Sequence, residues 1–420
     1  MKNFRYWDWY KLTDYILPTI LVGSIIEYVL GFWSITTVVK TAAVIISFVI
    51  TIKTINNKNG FKILLFSYIL YCLLTGISYL WNGKSISFYF EDVSNYLLPM
   101  LFVCIGISDN RPSRNFYDNL VKILAVVLVL GLICYLAPLP WYTTRMAEIR
   151  NDSMDYYSVN SDTVLDNLRF CAFFKTSYPV SHFTSFGIAI VLFNIFRRDV
   201  RVKYTVLTLV ILLVSSLLCQ HRVAILCAGL FLALAIMYGV QHKESDKLRP
   251  VIFLVIAVVV IVVYLFAFVE RFQDLFVMLN ERLDDISLSG ALEERKQIDE
   301  VFASWNNVFL GEGIGSGGAA PRQAGLYGIT DQNYAKLLYE TGIVGCFFFA
   351  ILIIPTFIRG LKYYRVYATE LLIMIFVLVA MMGSNTLCFY YLYILPFWYG
   401  VGRIWNKKYL KIAKKNRIVI

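Results

Sequence analysis

Charged residues are scarce in this chain, and their scarcity excludes an ordinary soluble protein. Only 16% of the 420 residues are charged, 59% are apolar, and the mean hydropathy is +0.64. A soluble domain of this length needs more polar surface than such a composition supplies. We therefore expect an all-α, polytopic membrane protein that forms a single integral membrane domain over residues 1–420.

Metal ligands and nucleotide-binding motifs are also missing. The chain has three histidines without metal-ligand spacing, and its eight cysteines are scattered, mostly within apolar stretches where they act as small apolar residues. The Gly-rich turn GEGIGSGG (311–318) has no strand before it and no Gly-Lys-Ser after it, unlike a Walker loop. We find no internal repeat and expect no cleavable signal peptide. The sequence predicts neither a metal nor a cofactor.

Long apolar runs are what the chain has in abundance. A helix needs about 20 predominantly apolar residues to cross the hydrocarbon core. Twelve runs meet this need: 15–31, 35–52, 63–80, 88–107, 120–137, 180–196, 204–219, 223–240, 251–269, 337–358, 367–383 and 386–402. The first two are separated by little polar sequence, and acidic residues interrupt the start of the fourth. Within these runs only Glu27 and Lys40 are plainly intramembrane charges, which an ion pair between adjacent spans would satisfy.

The formal net charge of +11 would also suit a nucleic-acid-binding protein, but its distribution argues against one. With the N-terminus in the cytoplasm and alternating spans, 26 of the 39 lysines and arginines fall on the inner side. This is the positive-inside pattern, and it predicts an even number of spans with both termini cytoplasmic. The basic residues then meet anionic lipid headgroups, and no nucleic acid is expected as a partner.

Two long polar loops, 138–179 and 270–334, fall on the outer side of this topology. The second begins with segments whose apolar residues recur every three or four positions, which predicts amphipathic helices. Water-soluble chemistry therefore belongs on the outer face of the membrane.

Arg222 is the strongest single candidate for a functional residue. It follows the short outer turn CQHR, next to His221, and begins the apolar run VAILCAGLFLALAIMYG. A charge at this position either snorkels to lipid headgroups or clamps an anion, because the guanidinium fork fits a phosphate.

Other polar residues of the loops have two interpretations each. Asp331 is either a general base for a hydroxyl or the N-cap of the helix YAKLLYETG. Arg169 and Arg295 are either ligand contacts or ordinary solvated charges. Gly313 and Gly315 either cradle an anion through their amides or form a flexible turn.

Two segments resemble a known family. RKQIDEVFASWNNVFLGEGIGS and DQNYAKLLYETGIVG resemble the second long outer loop of the bacterial O-antigen polymerase and O-antigen ligase superfamily. Arg222 resembles the arginine that opens a span in that family, and Arg169 resembles an arginine of its earlier outer loop. The resemblance covers about residues 165–400, and its motifs are degenerate.

The resemblance implies a glycosyltransferase-C-like enzyme of about 12 transmembrane helices in the bacterial cytoplasmic (inner) membrane. Such an enzyme joins oligosaccharide repeat units carried on undecaprenyl diphosphate into O-antigen, capsular polysaccharide or exopolysaccharide, without a metal or nucleotide sugar. Its catalytic candidates here are Arg222, Asp331 and Arg169. The candidate substrate-binding residues are Arg295, Gly313, Gly315, Gln332, His221 and Arg322.

The implied partners are a lipid-linked donor and acceptor, membrane lipid, a chain-length regulator and a flippase. Two alternatives stay open. A ligase would transfer the finished glycan to the lipid A core of lipopolysaccharide, but Asp331 and Gln332 stand where the ligase pattern has a histidine and an amide. A lipid-linked oligosaccharide flippase would also suit twelve spans, although long outer loops are unexpected for a transporter.

Overall fold

The chain folds into helices wherever regular structure is described. The computed structural model describes residues 9–31, 35–54, 60–81, 85–111, 115–137, 139–145, 170–174, 176–195, 202–241, 249, 252–253, 256, 260, 303, 305–317, 329, 332–384, 386–387 and 393–415. The helices are α1 (Trp9–Leu30), α2 (Ile35–Thr54), α3 (Gly60–Trp81), α4 (Ile86–Asp92), α5 (Leu98–Met100), α6 (Phe102–Ser108), α7 (Asn115–Leu136), α8 (Ser177–Ile195), α9 (Val202–Leu218), α10 (Arg222–Gln241), α11 (Asn333–Lys362), α12 (Tyr364–Ala380), α13 (Leu395–Ile404) and α14 (Lys407–Lys415). A π-helical turn, Val93–Leu97, joins α4 to α5.

The prediction of a polytopic, all-α membrane protein is confirmed in its coarse form. Seven helical segments in the described part of the chain are long and apolar enough to cross a membrane. They are Tyr10–Leu30, Gly60–Ile77, Ile86–Ser108, Asn115–Leu136, Ser177–Ile195, Arg222–Gln241 and Asn333–Lys362. A shorter apolar helix covers Tyr204–Leu218. Three further predicted spans correspond to α2, α12 and α13, which are not among the seven. The last predicted span, 251–269, lies mostly outside the described residues.

The chain divides into two compact units, which the sequence did not indicate. The first unit comprises Met1–Ile16, Thr37–Arg114 and Glu293–Val419, and the second comprises Leu17–Thr36 and Asn115–Leu292, with Ile420. In the second unit α8 is the central helix, since 94% of it is buried and it packs against α7, α9 and α10. In the first unit α13 packs against α6 and α12, and α11 packs against α3 and α12.

Small residues bring α6 and α13 into close contact. A Cβ atom added at Gly106 would lie 2.2 Å from the carbonyl oxygen of Tyr399, and one added at Gly402 would lie 2.1 Å from that of Val103. Glycine at these two positions therefore lets the two backbones touch, as small residues do at helix crossings in membranes.

A network of ion pairs fixes the ends of several helices in the first unit. Arg111 binds Asp14 and Asp109 with N–O distances of 2.7 Å, and Tyr399 donates a hydrogen bond of 2.8 Å to Asp109 Oδ2. Burial alone would raise the pKa of the Asp109 carboxyl, but the hydrogen bonds and charge of Arg111 outweigh it and hold this pKa below its ordinary value. The same carboxylates raise the pKa of Arg111, against the effect of its burial. Asp109 is therefore ionised at neutral pH.

Replacing Asp109 with asparagine should destabilise the protein at pH 7 and not in acid. Asp109→Asn keeps the shape but removes the charge that Arg111 and Tyr399 bind, which costs about 1.5–3 kcal/mol. Because the folded-state pKa is depressed, the carboxylate stabilises the fold above the unfolded pKa of roughly 3.9, and this contribution is lost as the pH falls through the folded value. Thermal unfolding in detergent, measured from pH 7 downward, should show the midpoint temperatures of the wild type and of Asp109→Asn converging. A midpoint unchanged at pH 7 would refute the role of this ion pair.

Candidate functional site

The Gly-rich turn and the start of α11 form one buried structure in the first unit. The described stretch 305–317 includes residues 311–317 of this turn and packs against α3 and α11; below, the turn means this whole stretch. Gly311, Gly313 and Gly315 all adopt positive φ, and an added Cβ at each would lie within 2.9 Å of a neighbouring backbone atom. The turn is thus closely packed, in contrast to a flexible connection.

The turn faces a break in α11. Gly342 has φ 64° and ψ −172°, so the helix is interrupted between Thr341 and Ile343. An added Cβ at Gly342 would lie 2.3 Å from the carbonyl oxygen of Phe309 and 2.5 Å from the nitrogen of Gly311. The two glycines therefore permit the turn to enter the break.

Backbone groups freed by the break are satisfied by the turn. The amides of Ile343 and Val344 donate to the carbonyls of Val308 and Phe309, both at 3.1 Å. In an unbroken helix these amides would bond to residues 339 and 340. The carbonyls released in α11 accept other donors, namely Glu312 N to Tyr339 O and Gly313 N to Glu340 O, both at 2.9 Å, and Tyr71 Oη to Thr341 O at 2.7 Å. The turn thus replaces helical hydrogen bonds that an apolar medium cannot replace.

Three charged side chains are buried beside this break. Lys336 Nζ lies 3.0 and 2.9 Å from the two carboxylate oxygens of Asp92 and 3.7 Å from Glu340 Oε1. Glu340 Oε1 also accepts a hydrogen bond from the amide of Gly317 at 3.0 Å. Asp92, Lys336 and Glu340 are 7%, 2% and 2% exposed. We call these three residues the buried charge cluster.

The helix that carries Asp92 is irregular at the next residue. The π-helical turn Val93–Leu97 begins there, and such turns often mark functional sites. Within it Asn95 accepts a hydrogen bond of 2.8 Å from Lys40, and the hydroxyls of Tyr96 and Tyr68 bond to each other. Polar side chains therefore line this stretch of a helix that is otherwise apolar enough to cross a membrane.

The buried charge cluster corrects the sequence analysis. Glu27 and Lys40 were expected to be the plainly intramembrane charges, yet Asp92, Lys336 and Glu340 lie within the candidate spans Ile86–Ser108 and Asn333–Lys362. Two signals in the sequence pointed to it. Asp92 interrupts an apolar run, and Lys336 and Glu340 are spaced i, i+4, which places them on one face of a helix.

Arg222 and His221 belong to the second unit. The tight turn before them has Gln220 at φ 55°, and α10 begins at Arg222. His221 Nε2 lies 3.0 Å from Ser177 Oγ, and its ring centroid lies 4.4 Å from that of Tyr178. The start of α8 therefore holds this turn in place. The Arg222 side chain is exposed and makes no hydrogen bond or ion pair with the residues that the structure describes.

Four other predicted site residues lie outside the described residues: Arg169, Arg295, Arg322 and Asp331. Gln332 is half-buried and is the N-cap of α11, without a side-chain capping bond. Both interpretations of Asp331, general base and N-cap, stay predictions, because this residue lies outside the described residues. Asn333 binds the amide of Leu387 at 2.8 Å and so anchors this helix start.

The anion-binding role of Gly313 and Gly315 stays a prediction. The amides of Gly311, Gly313 and Gly317 donate to oxygens of the chain itself. Within the described residues no group of three or more His, Cys, Asp or Glu side chains converges as a metal site requires.

No known protein-family model matches the chain, and no curated protein matches it at a significant level. The resemblance to the O-antigen polymerase and ligase superfamily therefore stays a prediction that depends on the motifs and on the topology.

Replacing Gly342 with alanine should prevent normal folding at the break. Gly342→Ala places a Cβ against Phe309 O in a backbone region that is nearly restricted to glycine, at a cost of at least about 3 kcal/mol. Gly229→Ala on α10 is the matched control, because an added Cβ there meets nothing within 4 Å. Thermal unfolding in detergent should show a large loss for the first variant and little change for the second. Equal behaviour would contradict the packing of the turn against the break.

Proposed function

We propose that this protein is an integral membrane glycosyltransferase. It polymerises oligosaccharide repeat units carried on a polyprenyl diphosphate at the outer face of the bacterial cytoplasmic membrane. The proposal includes a glycosyltransferase-C-like bundle of about 12 spans, both termini in the cytoplasm, and no metal or cofactor. Seven apolar helices, two long polar loops on one predicted side and the motifs of the second loop support it.

The single observation that carries the proposal is the position of Arg222. Its guanidinium is exposed at the first residue of an apolar helix, next to a turn that is held by the start of α8. Its five N–H donors are not used by the described residues. A fixed backbone with an available guanidinium suits the binding of a diphosphate.

The reaction needs charge stabilisation on one side of the sugar and a base on the other. The bond between the anomeric carbon and the diphosphate oxygen breaks, and a bond to the acceptor hydroxyl oxygen forms. The acceptor proton passes to a carboxylate, for which Asp331 is our candidate, and the diphosphate leaves with an added negative charge. Arg222 and Arg169 would stabilise that charge, with His221, Arg295, Arg322 and Gln332 as further substrate contacts.

The acceptor separates this function from a ligase. A polymerase adds each repeat unit to another carrier-linked chain, with a chain-length regulator and a flippase as partners. A ligase delivers the chain to lipid A core. Asp331 at the position of the ligase histidine supports the polymerase.

Loss of Arg222 should abolish chain growth. In a strain that lacks the gene, plasmid-borne Arg222→Ala should leave single repeat units where the wild type gives a ladder on gels of the surface glycan. We expect a loss of about 10²- to 10³-fold in rate, as for removal of one anion-stabilising donor, and partial recovery in Arg222→Lys.

The matched control is Arg365→Ala. Arg365 is also exposed near the start of an apolar helix, α12, but lies on the cytoplasmic side in our topology. Membrane levels of all variants must be equal by immunoblot. An unchanged ladder in Arg222→Ala would end the assignment.

The buried charge cluster favours one second candidate, a flippase for lipid-linked oligosaccharides. Ionisable residues buried within candidate spans and a broken helix are features of transporters. In such a protein a change of protonation in the cluster would alter the packing of α11 against the helix that carries Asp92.

Reconstitution into liposomes separates the two functions. A flippase moves a fluorescent lipid-linked oligosaccharide across the bilayer without lengthening it, and Glu340→Gln should slow this movement at least about 10-fold. Glu312→Gln is the control, because the Glu312 side chain only accepts hydrogen bonds from the amides of Asn306 and Asn307 through Oε1, which a glutamine oxygen can also do. Lengthening of the oligosaccharide without movement across the bilayer would exclude transport.

A further inference from the structure

Three consecutive apolar residues are exposed on the turn of the first unit. Val308, Phe309 and Leu310 are 42%, 68% and 48% exposed. Such a run is unusual on a surface that faces water, because each side chain keeps apolar area hydrated. The proposed reaction does not use these residues. We call the three residues the apolar tip.

The apolar tip lies beside the point where the uninterrupted part of α11 begins. The amide of Ile343 donates to the carbonyl oxygen of Val308 at 3.1 Å. After the break the sequence IVGCFFFAILIIPTFI (343–358) carries no charge. From Ile343 to Leu361 the helix is about 28 Å long, close to the thickness of a hydrocarbon core. The tip is therefore level with one edge of that core.

One face of α11 next to the tip is exposed and apolar along its whole length. Its residues are between 47% and 63% exposed and recur at spacings of three, four and seven, which keeps them on one face: Ile343, Phe347, Ile354, Ile358 and Leu361. In a helix apolar enough to cross a membrane, this face contacts the acyl chains of lipids. Because Ile343 begins the face and binds Val308, the surface of the tip continues it.

The backbone of the tip is paired in a way that hydrocarbon requires. The carbonyl oxygens of Val308 and Phe309 accept the two amides that follow the break, and that of Leu310 accepts a bond of 3.3 Å from Tyr71 Oη. The amide of Leu310 donates to Asn307 Oδ1 at 3.0 Å. These four backbone groups therefore need no water, which is the condition for placing a turn among acyl chains.

Polar residues border the tip on both sides. Asn306 and Asn307 precede it, and their amides donate to Glu312 Oε1 at 2.6 and 3.1 Å. Trp305, which is half-buried, comes before them, and tryptophan is enriched where membrane and water meet. This order of residues suits a turn that dips from water into hydrocarbon and returns.

We propose that the apolar tip inserts among the acyl chains of the leaflet at the start of α11. Its partner is the hydrocarbon of the bilayer lipids, which the exposed face of α11 already contacts. Insertion removes three apolar side chains from water and holds the stretch 305–317 at the membrane surface. The inference does not depend on the proposed function, because the insertion suits a transferase and a transporter equally.

Photo-cross-linking of the full-length protein in lipid nanodiscs tests the insertion. The nanodiscs contain phosphatidylethanolamine and phosphatidylglycerol, and p-benzoylphenylalanine replaces Phe309. On irradiation its ketone adds across a neighbouring C–H bond, so mass spectrometry identifies what lies beside this position. We expect adducts on acyl chains, at a yield similar to that for the same replacement at Phe347 on the exposed face of α11. Replacement of Lys411, an exposed residue of α14, should give a yield at least about 5-fold lower, because a charged side chain stays out of hydrocarbon.

The cross-linked product also distinguishes the tip's other potential partners. Adducts with peptides of the same chain would mean that another segment covers the tip, and adducts between two chains would mean a contact between copies. Either as the main product would overturn the proposal, as would acyl-chain adducts no more frequent at position 309 than at Lys411. If the replacement at Phe309 does not yield folded protein, Leu310 takes its place in the same comparison.

A charge at the tip gives a second test. Phe309→Asp should lower the midpoint temperature of unfolding in nanodiscs by at least about 4 °C, because a carboxylate is costly in hydrocarbon. Phe309→Leu should change it little. Asn306→Asp is the matched control, since it also adds a negative charge near Glu312 but at the polar border. An exposed position that faces water tolerates aspartate, so equal midpoints for Phe309→Asp and Asn306→Asp would contradict the insertion.

Discussion

The break in α11 is the constraint on which the first unit depends. A helix apolar enough to cross a membrane cannot leave backbone N–H and C=O groups unpaired, since each costs about 1–3 kcal/mol when buried and more in lipid. Here Gly342 interrupts the ladder and the Gly-rich turn replaces the missing bonds. Residues 305–317 of the second polar loop are thereby fixed to α11 by backbone hydrogen bonds.

The same break explains why charges are tolerated nearby. Lys336 and Glu340 lie on the first segment of α11, and Glu340 uses both its backbone carbonyl and its carboxylate to bind the turn. Lys336 Nζ in turn donates to both carboxylate oxygens of Asp92. Removing one charge would leave another buried without a partner, which is far more costly than any gain from the pair itself. The cluster, the break and the turn therefore form one interdependent structure.

The sequence predicted the fold class and many of the apolar helices, because length and hydropathy are local properties that the bilayer imposes. It also pointed to 311–318 and to the start of α11 as one region. It did not predict that the amides at Gly311, Gly313 and Gly317 would bind the chain's own oxygens, since this depends on packing between segments far apart in sequence. For the same reason Asp92 was read as an interruption of a span and not as the partner of Lys336, 244 positions away. The structure describes Gln332 as the N-cap of α11, a position that residue type alone did not single out.

The arginines of the described helices show which of them is available for a ligand. Arg111 and Arg403 are close to carboxylates, and Arg359 binds a carbonyl and a tryptophan, so these three serve the fold. Arg145 donates from Nε to the carbonyl oxygen of Tyr28 at the end of α1. Among the described residues Arg222 has no contact of this kind, although its backbone is fixed by the neighbouring turn. The fixed backbone limits the freedom that the exposed guanidinium of Arg222 would lose on binding an anion, and the proposed function depends on that binding.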